Sequence, residues 1–157
     1  MPNPVIVVHE RLGQWARRLR PRLADRPVRF VETRSRSDLE TALPGFGAAC
    51  PVIVFDLARR VRAGLDDLDR ALQLAPEALT LVLDPGEGDG VAVLARELGA
   101  THVISGAATP PAVADLLARW VALSLRRGEA PGWRPLNPGP PEPEPWNWLN
   151  PLLQRSP

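Results

Sequence analysis

The sequence has no lysine, no tyrosine and a single cysteine, Cys50, among its 157 residues. One cysteine excludes an internal disulfide, and its position just before an apolar run is typical of a small buried residue. No apolar stretch reaches the roughly 18 residues of a membrane-spanning helix, and the N-terminus lacks the charged and apolar regions of a signal peptide. These absences predict a cytoplasmic protein that makes no membrane contact.

Net charge is also nearly absent. Nineteen basic residues, all of them arginine, face 18 acidic ones, which leaves a formal net charge of +1. A chain so balanced has no overall field that would attract nucleic acid or an anionic membrane, so neither is expected as a partner. The lack of lysine also excludes any site that needs a lysine ammonium group.

The chain is long enough for one domain with a sizeable core, and 45% of its residues are hydrophobic. Its predicted centre is the run 51–57 (PVIVFDL), where four apolar residues lead without a polar break into the carboxylate of Asp56. This pattern indicates a strand that is buried on both faces and presents one charged side chain at its end.

Strand and helix patterns alternate on both sides of this run. The other strands are predicted over 5–8, 28–32, 78–83 and 102–105, and helices are predicted to begin near residues 11, 35, 61, 91 and 110. Ser35 or Ser37 is the candidate N-cap of the second helix, where Glu40 would complete a capping box with Ser37. Helical crossovers imply a parallel sheet. The predicted fold is α/β and flavodoxin-like, with five strands in the order 2-1-3-4-5 and helices on both faces.

In such a fold, reactive groups gather beyond the carboxyl ends of the strands, near the switch point between the first and third. Four polar side chains are expected there: His9, Glu10, Asp56 and Asp84. The cluster could bind a transition metal or stabilise a protonated His9. The simpler interpretation is a polar rim in which Arg59 or His9 neutralises Asp56 through an ion pair.

The composition changes at residue 128. The last 30 residues hold nine of the 19 prolines and three of the five tryptophans, so we predict a domain over 1–127 and a tail over 128–157. Residues 138–145 (PGPPEPEP) should be extended and stiff. The tail ends in an apolar cluster that is expected to dock on its own domain, on a partner protein or second copy, or nowhere. Its contact residues are Trp146, Trp148, Leu149, Leu152 and Leu153.

Over residues 5–127 the sequence resembles the receiver domain of two-component response regulators. The residues that carry the resemblance are His9-Glu10 after the first strand, Phe55-Asp56-Leu57, Gly64, Gly99-Ala100 and Ser105. The resemblance implies an acidic pair that holds Mg²⁺, an aspartate that accepts a phosphoryl group, a serine or threonine beside that group, and a lysine that pairs with it. These groups neutralise the negative charge that spreads during phosphoryl transfer.

The sequence matches this set only in part. Asp56 stands at the phosphoacceptor position, and Glu10 could supply one carboxylate toward the metal. Its companion is His9, a poorer ligand for a hard cation such as Mg²⁺.

The remaining positions of this degenerate pocket depart further. Asp84 takes the serine or threonine place and adds a negative charge there, while Gly106, after Ser105, takes the lysine place. The resemblance together with these departures predicts a receiver-like fold that has lost phosphorylation, a pseudo-receiver.

The sequence thus predicts a non-catalytic, receiver-like regulatory or adaptor protein that needs no metal or other cofactor. It would act through contact with a protein partner or in a homodimer, using its fourth and fifth helices and its tail. Two alternatives stay open. One is a phosphoaccepting single-domain response regulator that uses Asp56 with Mg²⁺, and the other is a small flavodoxin-like protein that binds a ligand or metal.

Overall fold

A computed structural model describes residues 3–46, 50–86 and 88–129. The five strands are β1 (Val5–His9), β2 (Arg29–Thr33), β3 (Val52–Asp56), β4 (Leu79–Asp84) and β5 (His102–Ser105). The five α-helices are α1 (Gln14–Leu19), α2 (Arg36–Ala42), α3 (Val61–Leu74), α4 (Asp89–Glu97) and α5 (Pro110–Glu129). Short 3-10 turns follow α1 at Arg20–Leu23 and α2 at Leu43–Phe46.

The strands form one parallel sheet in the order β2-β1-β3-β4-β5, which confirms the predicted fold class. Strand β3 lies at the centre, with Val54 paired to Val8 on one side and to Leu81 on the other. Its four apolar residues are fully buried, because helices cover both faces of the sheet.

Alternate side chains of the sheet enter two separate core layers, as the two-residue period of a strand requires. On one face, Ile53 and Phe55 pack with residues of α2, α3 and α4. On the other face, Val52 and Val54 pack with residues of α1 and α5, including the buried Trp120. The half-buried Trp15 packs against this second layer as well.

The start of α2 differs from the predicted capping box. The Ser35 hydroxyl accepts a hydrogen bond from the Asp38 backbone N–H, and the Asp38 carboxylate accepts one from the Ser35 N–H. The predicted box between Ser37 and Glu40 is therefore wrong. The helix begins one residue after Ser35, and Glu40 forms an ion pair with Arg70 instead, at 2.7 Å.

Helix α5 continues to Glu129, slightly past the predicted domain boundary, and the division into domain and tail stays a prediction. The predicted tail contact residues, Trp146, Trp148, Leu149, Leu152 and Leu153, lie outside the described residues. Within the described part of the chain, no helix combines the length and apolar character needed to cross a membrane.

Candidate functional site

A small polar pocket lies at the carboxyl ends of β1 and β3. Its cavity volume is about 20 Å³, which is room for about one water molecule. Of the four side chains expected to cluster, His9, Glu10 and Asp56 line this pocket, whereas Asp84 does not. Its remaining polar lining comes from Asp67 on α3 and from three arginines, Arg11, Arg34 and Arg60.

Glu10 caps helix α1. Its side chain is buried, and its two carboxylate oxygens accept hydrogen bonds from the backbone N–H groups of Trp15 (2.8 Å) and Ala16 (2.6 Å). These N–H groups belong to the first turn of the helix, where the helix itself supplies no acceptor. The left-handed backbone of Gly13, with φ of 69°, turns the chain back so that Glu10 reaches them. The residue that the resemblance assigns to a metal ion therefore holds a helix end.

His9 joins three elements of the fold. Its Nδ1 lies 2.9 Å from the Thr33 hydroxyl oxygen on β2, and its Nε2 lies 3.1 Å from a carboxylate oxygen of Asp67 on α3. The other oxygen of Asp67 accepts a hydrogen bond of 2.7 Å from Arg36 Nε at the start of α2. The His9 ring also makes an edge contact with Phe55, with 5.6 Å between the ring centroids. Both ring nitrogens of His9 are therefore engaged inside the fold.

Asp56 is half-buried and lacks an ion-pair partner among the described residues. Its Oδ1 accepts a hydrogen bond of 3.1 Å from the Ala58 backbone N–H. Burial raises the pKa of the Asp56 carboxyl, and the Ala58 hydrogen bond only partly opposes this. From the sequence, His9 or Arg59 was predicted to neutralise Asp56 through an ion pair. The described structure instead pairs His9 with Asp67 and leaves Arg59 exposed.

Asp84, Ser105 and Gly106 lie together at the ends of β4 and β5. Asp84 is 2% exposed; its Oδ1 accepts a hydrogen bond from the Gly86 N–H, while its Oδ2 has no hydrogen-bond partner among the described residues. Ser105, which pairs with Asp84 in the sheet, is exposed. Gly106 has φ of 80°, and its N–H donates to the carbonyls of Asp84 (2.8 Å) and Gly86 (3.1 Å). The place of the receiver lysine is therefore a tight left-handed turn.

The sequence did not predict that Asp67 is buried or that it forms an ion pair with Arg36. Asp67 lies at the edge of the apolar stripe of α3, next to the exposed Asp66, so the helical pattern did not predict its burial. Gly64 of the same helix also has a packing role, because a Cβ at that position would collide with the buried Leu57 side chain.

The residues present do not fit the Mg²⁺ ion that the resemblance implies. Magnesium requires several oxygen ligands in near-octahedral geometry. Glu10 uses its oxygens on α1 and His9 uses its nitrogens on Thr33 and Asp67, which leaves the carboxylate of Asp56. Across residues 3–46, 50–86 and 88–129, no three His, Cys, Asp or Glu side chains are grouped so that they could hold a metal ion.

No protein-family model matches the sequence, and no curated protein matches it either. Solved structures, however, share its fold. A two-component response regulator from Clostridium difficile superposes with a TM-score of 0.64 at 10% identity, covering 82% of this chain and 100% of that one. The BeF3-activated receiver domain of DrrB from Thermotoga maritima gives 0.61 at 16% identity, covering 78% and 99%.

A third similar structure belongs to a pilus assembly protein (cpaE) from Burkholderia thailandensis. Its TM-score is 0.58 at 18% identity, and the match covers 77% of this chain and 98% of that one. At such identities the similarity concerns the fold, which is that of response-regulator receiver domains, as the sequence resemblance implied.

Proposed function

We propose that this chain is a receiver-fold regulatory or adaptor protein that acts through protein contacts and is not phosphorylated at Asp56. It would work in the cytoplasm and catalyse no reaction. The observation that carries this proposal is the use of Glu10, whose two carboxylate oxygens both accept backbone hydrogen bonds from α1. Both oxygens are directed at the first turn of α1, so recruiting Glu10 as a metal ligand would compete with its capping of the helix.

The electrostatics around Asp56 support the same proposal. Transfer of a phosphoryl group places additional negative charge on this carboxylate, and that charge must be neutralised by nearby cations. The sequence contains no lysine, and although Arg11, Arg34 and Arg60 line the same pocket, no described arginine forms an ion pair with Asp56. Asp84 places a further carboxyl group at the end of the neighbouring strand, where a receiver would have a hydroxyl.

Exposed apolar side chains on α4 and α5 fit a role in protein contact. Val93 and Leu94 on α4 are 49% and 44% exposed, and Leu123 and Leu125 on α5 are 45% and 36% exposed. Burial of such side chains in an interface would supply favourable free energy. A protein partner or a second copy of this chain is therefore the proposed target.

A phosphorylation assay tests the proposal. The full-length protein is incubated with a small acyl-phosphate donor and Mg²⁺, and its intact mass is measured alongside Asp56→Asn and an active response regulator. We expect an adduct on the active regulator alone. An adduct on this protein that disappears in Asp56→Asn would refute the proposal.

The alternative, a phosphoaccepting response regulator, is favoured by one observation. Asp56 is only half-buried, so part of its carboxyl group remains open to solvent. The same labelling assay decides between the two functions. A ligand-binding role for this pocket has less support, because a cavity of about 20 Å³ has no room for a metabolite.

A further inference from the structure

The charges of this chain nearly cancel in number but are unevenly distributed along the sequence. Residues 11–36 contain nine arginines and two acidic residues, a net charge of +7. Residues 37–127 contain eight arginines and twelve acidic residues, a net charge of −4. The field at a surface is set by charges within about one Debye length, roughly 8 to 10 Å. The local excess of arginine therefore matters more to a partner than the net charge of +1.

All nine of these arginines are exposed, and the topology brings them to one side of the molecule. Six of them lie on α1, on the 3-10 turn that follows it, on β2 and at the start of α2, and the other three lie in the adjoining loops; β2 is an edge strand of the sheet. We call this surface the arginine edge. Among the described residues, five of its members have no carboxylate partner: Arg11, Arg17, Arg18, Arg22 and Arg29.

A groove of about 440 Å³ crosses the arginine edge, with Arg17, Arg20 and Arg34 in its walls. Glu32 also lines the groove and holds two of these guanidinium groups in place, at 2.6 Å from Arg20 and 3.8 Å from Arg34. The Arg20 guanidinium is further fixed over the Phe30 ring, 4.9 Å from its centroid. Because Arg34 also lines the Asp56 pocket, the two depressions share a wall.

The composition of the arginine edge identifies the class of its ligand. Guanidinium groups bind phosphate oxygens in a bidentate geometry and stay charged at any physiological pH. Proteins that bind single strands stack bases on exposed aromatic rings, but Trp15 and Phe30 are half-buried here. A membrane-binding surface presents a row of apolar anchors, but within residues 11–36, all of which the structure describes, Leu12 is the sole exposed large hydrophobic.

We propose that the arginine edge binds the sugar–phosphate backbone of a nucleic-acid duplex without reading its sequence. The net charge of +1 predicted no nucleic-acid partner, but a net charge does not describe how the arginines are distributed over the surface. If the five unpaired arginines each neutralise one phosphate, log K should fall against log salt with a slope of about −4.5. Raising the salt from about 50 to 200 mM would then weaken binding several-hundred-fold.

The test measures fluorescence anisotropy of labelled DNA and RNA duplexes of roughly 20 base pairs with the full-length protein across this salt range. The variant Arg17→Gln/Arg18→Gln/Arg22→Gln should bind at least about tenfold more weakly at low salt, with the slope reduced by about 3. The control Arg62→Gln/Arg96→Gln/Arg126→Gln removes three exposed arginines of α3, α4 and α5 and should leave binding within about twofold of wild type.

A second variant, Arg11→Gln/Arg29→Gln, guards against a fold defect in the first and should reduce the slope by about 2. Binding to either duplex with this pattern supports the proposal and identifies the kind of duplex. Three results would overturn it: no binding to either duplex at about 50 mM salt, equal weakening by the edge and control variants, or tighter binding to phosphatidylglycerol-containing vesicles than to both duplexes.

Discussion

Replacing Glu10 by glutamine tests whether this residue serves the helix or a metal site. The glutamine keeps one carbonyl oxygen as an acceptor, but its NH₂ group would face one of the two backbone N–H donors that the carboxylate now satisfies. One charge-assisted hydrogen bond is lost, at about 1.5 to 3 kcal/mol, together with about 0.3 to 1 kcal/mol of attraction between a negative charge and the helix N-terminus.

We therefore expect Glu10→Gln to lower the free energy of unfolding by about 2 to 4 kcal/mol. The corresponding fall in melting temperature is roughly 4 to 16 °C for a protein of this size. Urea denaturation followed by far-UV circular dichroism measures the first quantity, and a thermal scan measures the second. Glu97→Gln, an exposed glutamate on α4, is the matched control and should change the free energy by less than about 0.5 kcal/mol.

A stability change of the opposite sign would refute the assignment of Glu10 as the cap of α1. In a metal pocket without its ion, neighbouring carboxylates repel one another, so neutralising one of them stabilises the fold. If Glu10→Gln were as stable as wild type, or more stable, the wild-type carboxylate of Glu10 would face Asp56 and not α1. The proposal that this receiver fold has lost its metal site would then lose its main support.

Two further predictions concern the other carboxylates of the site. Asp67→Ala removes the carboxylate that both His9 and Arg36 contact, so urea denaturation should show a free energy of unfolding lower by about 2 to 4 kcal/mol. The control Asp66→Ala, at the exposed neighbouring position, should change it by less than about 0.5 kcal/mol. Similar losses from both variants would contradict the network. Burial raises the pKa of Asp56, so the folded state disfavours its ionised form and wild-type stability falls as pH rises through this pKa. Asp56→Asn, which cannot ionise, should therefore be more stable than wild type near pH 7 but not near pH 3. A gain that persists at the lower pH would exclude ionisation as its cause.

The fold could be predicted from the sequence because its signals are local. The run 51–57, in which four apolar residues lead into Asp56, identifies a doubly buried strand without reference to any other part of the chain. Alternation of such strands with helices leaves few topologies, because parallel connections are right-handed and helical. The observed order β2-β1-β3-β4-β5 is one of the few that these rules leave.

The partners of the site residues could not be predicted in the same way. Glu10 reaches Ala16 because Gly13 adopts a left-handed conformation, and a glycine in sequence does not reveal which conformation it takes. His9 meets Asp67 across 58 positions of chain, and the pattern of α3 places that aspartate at the edge of its apolar stripe. Sequence position thus predicted where Glu10 and His9 would lie, but not which groups they bind.

The same contacts argue that a missing lysine is not the only obstacle to phosphoryl transfer. A lysine at position 106 would have to adopt φ near 80°, which is strained for any residue with a Cβ. It would also stand beside Asp84, a buried carboxyl group in the place of a hydroxyl, and Glu10 would still be engaged on α1. Gly106 and Glu10 support the fold as they stand, so a lysine at position 106 or a metal ion on Glu10 would disturb local structure. This structural cost at two positions is a stronger reason for the proposed function than the absence of any single residue.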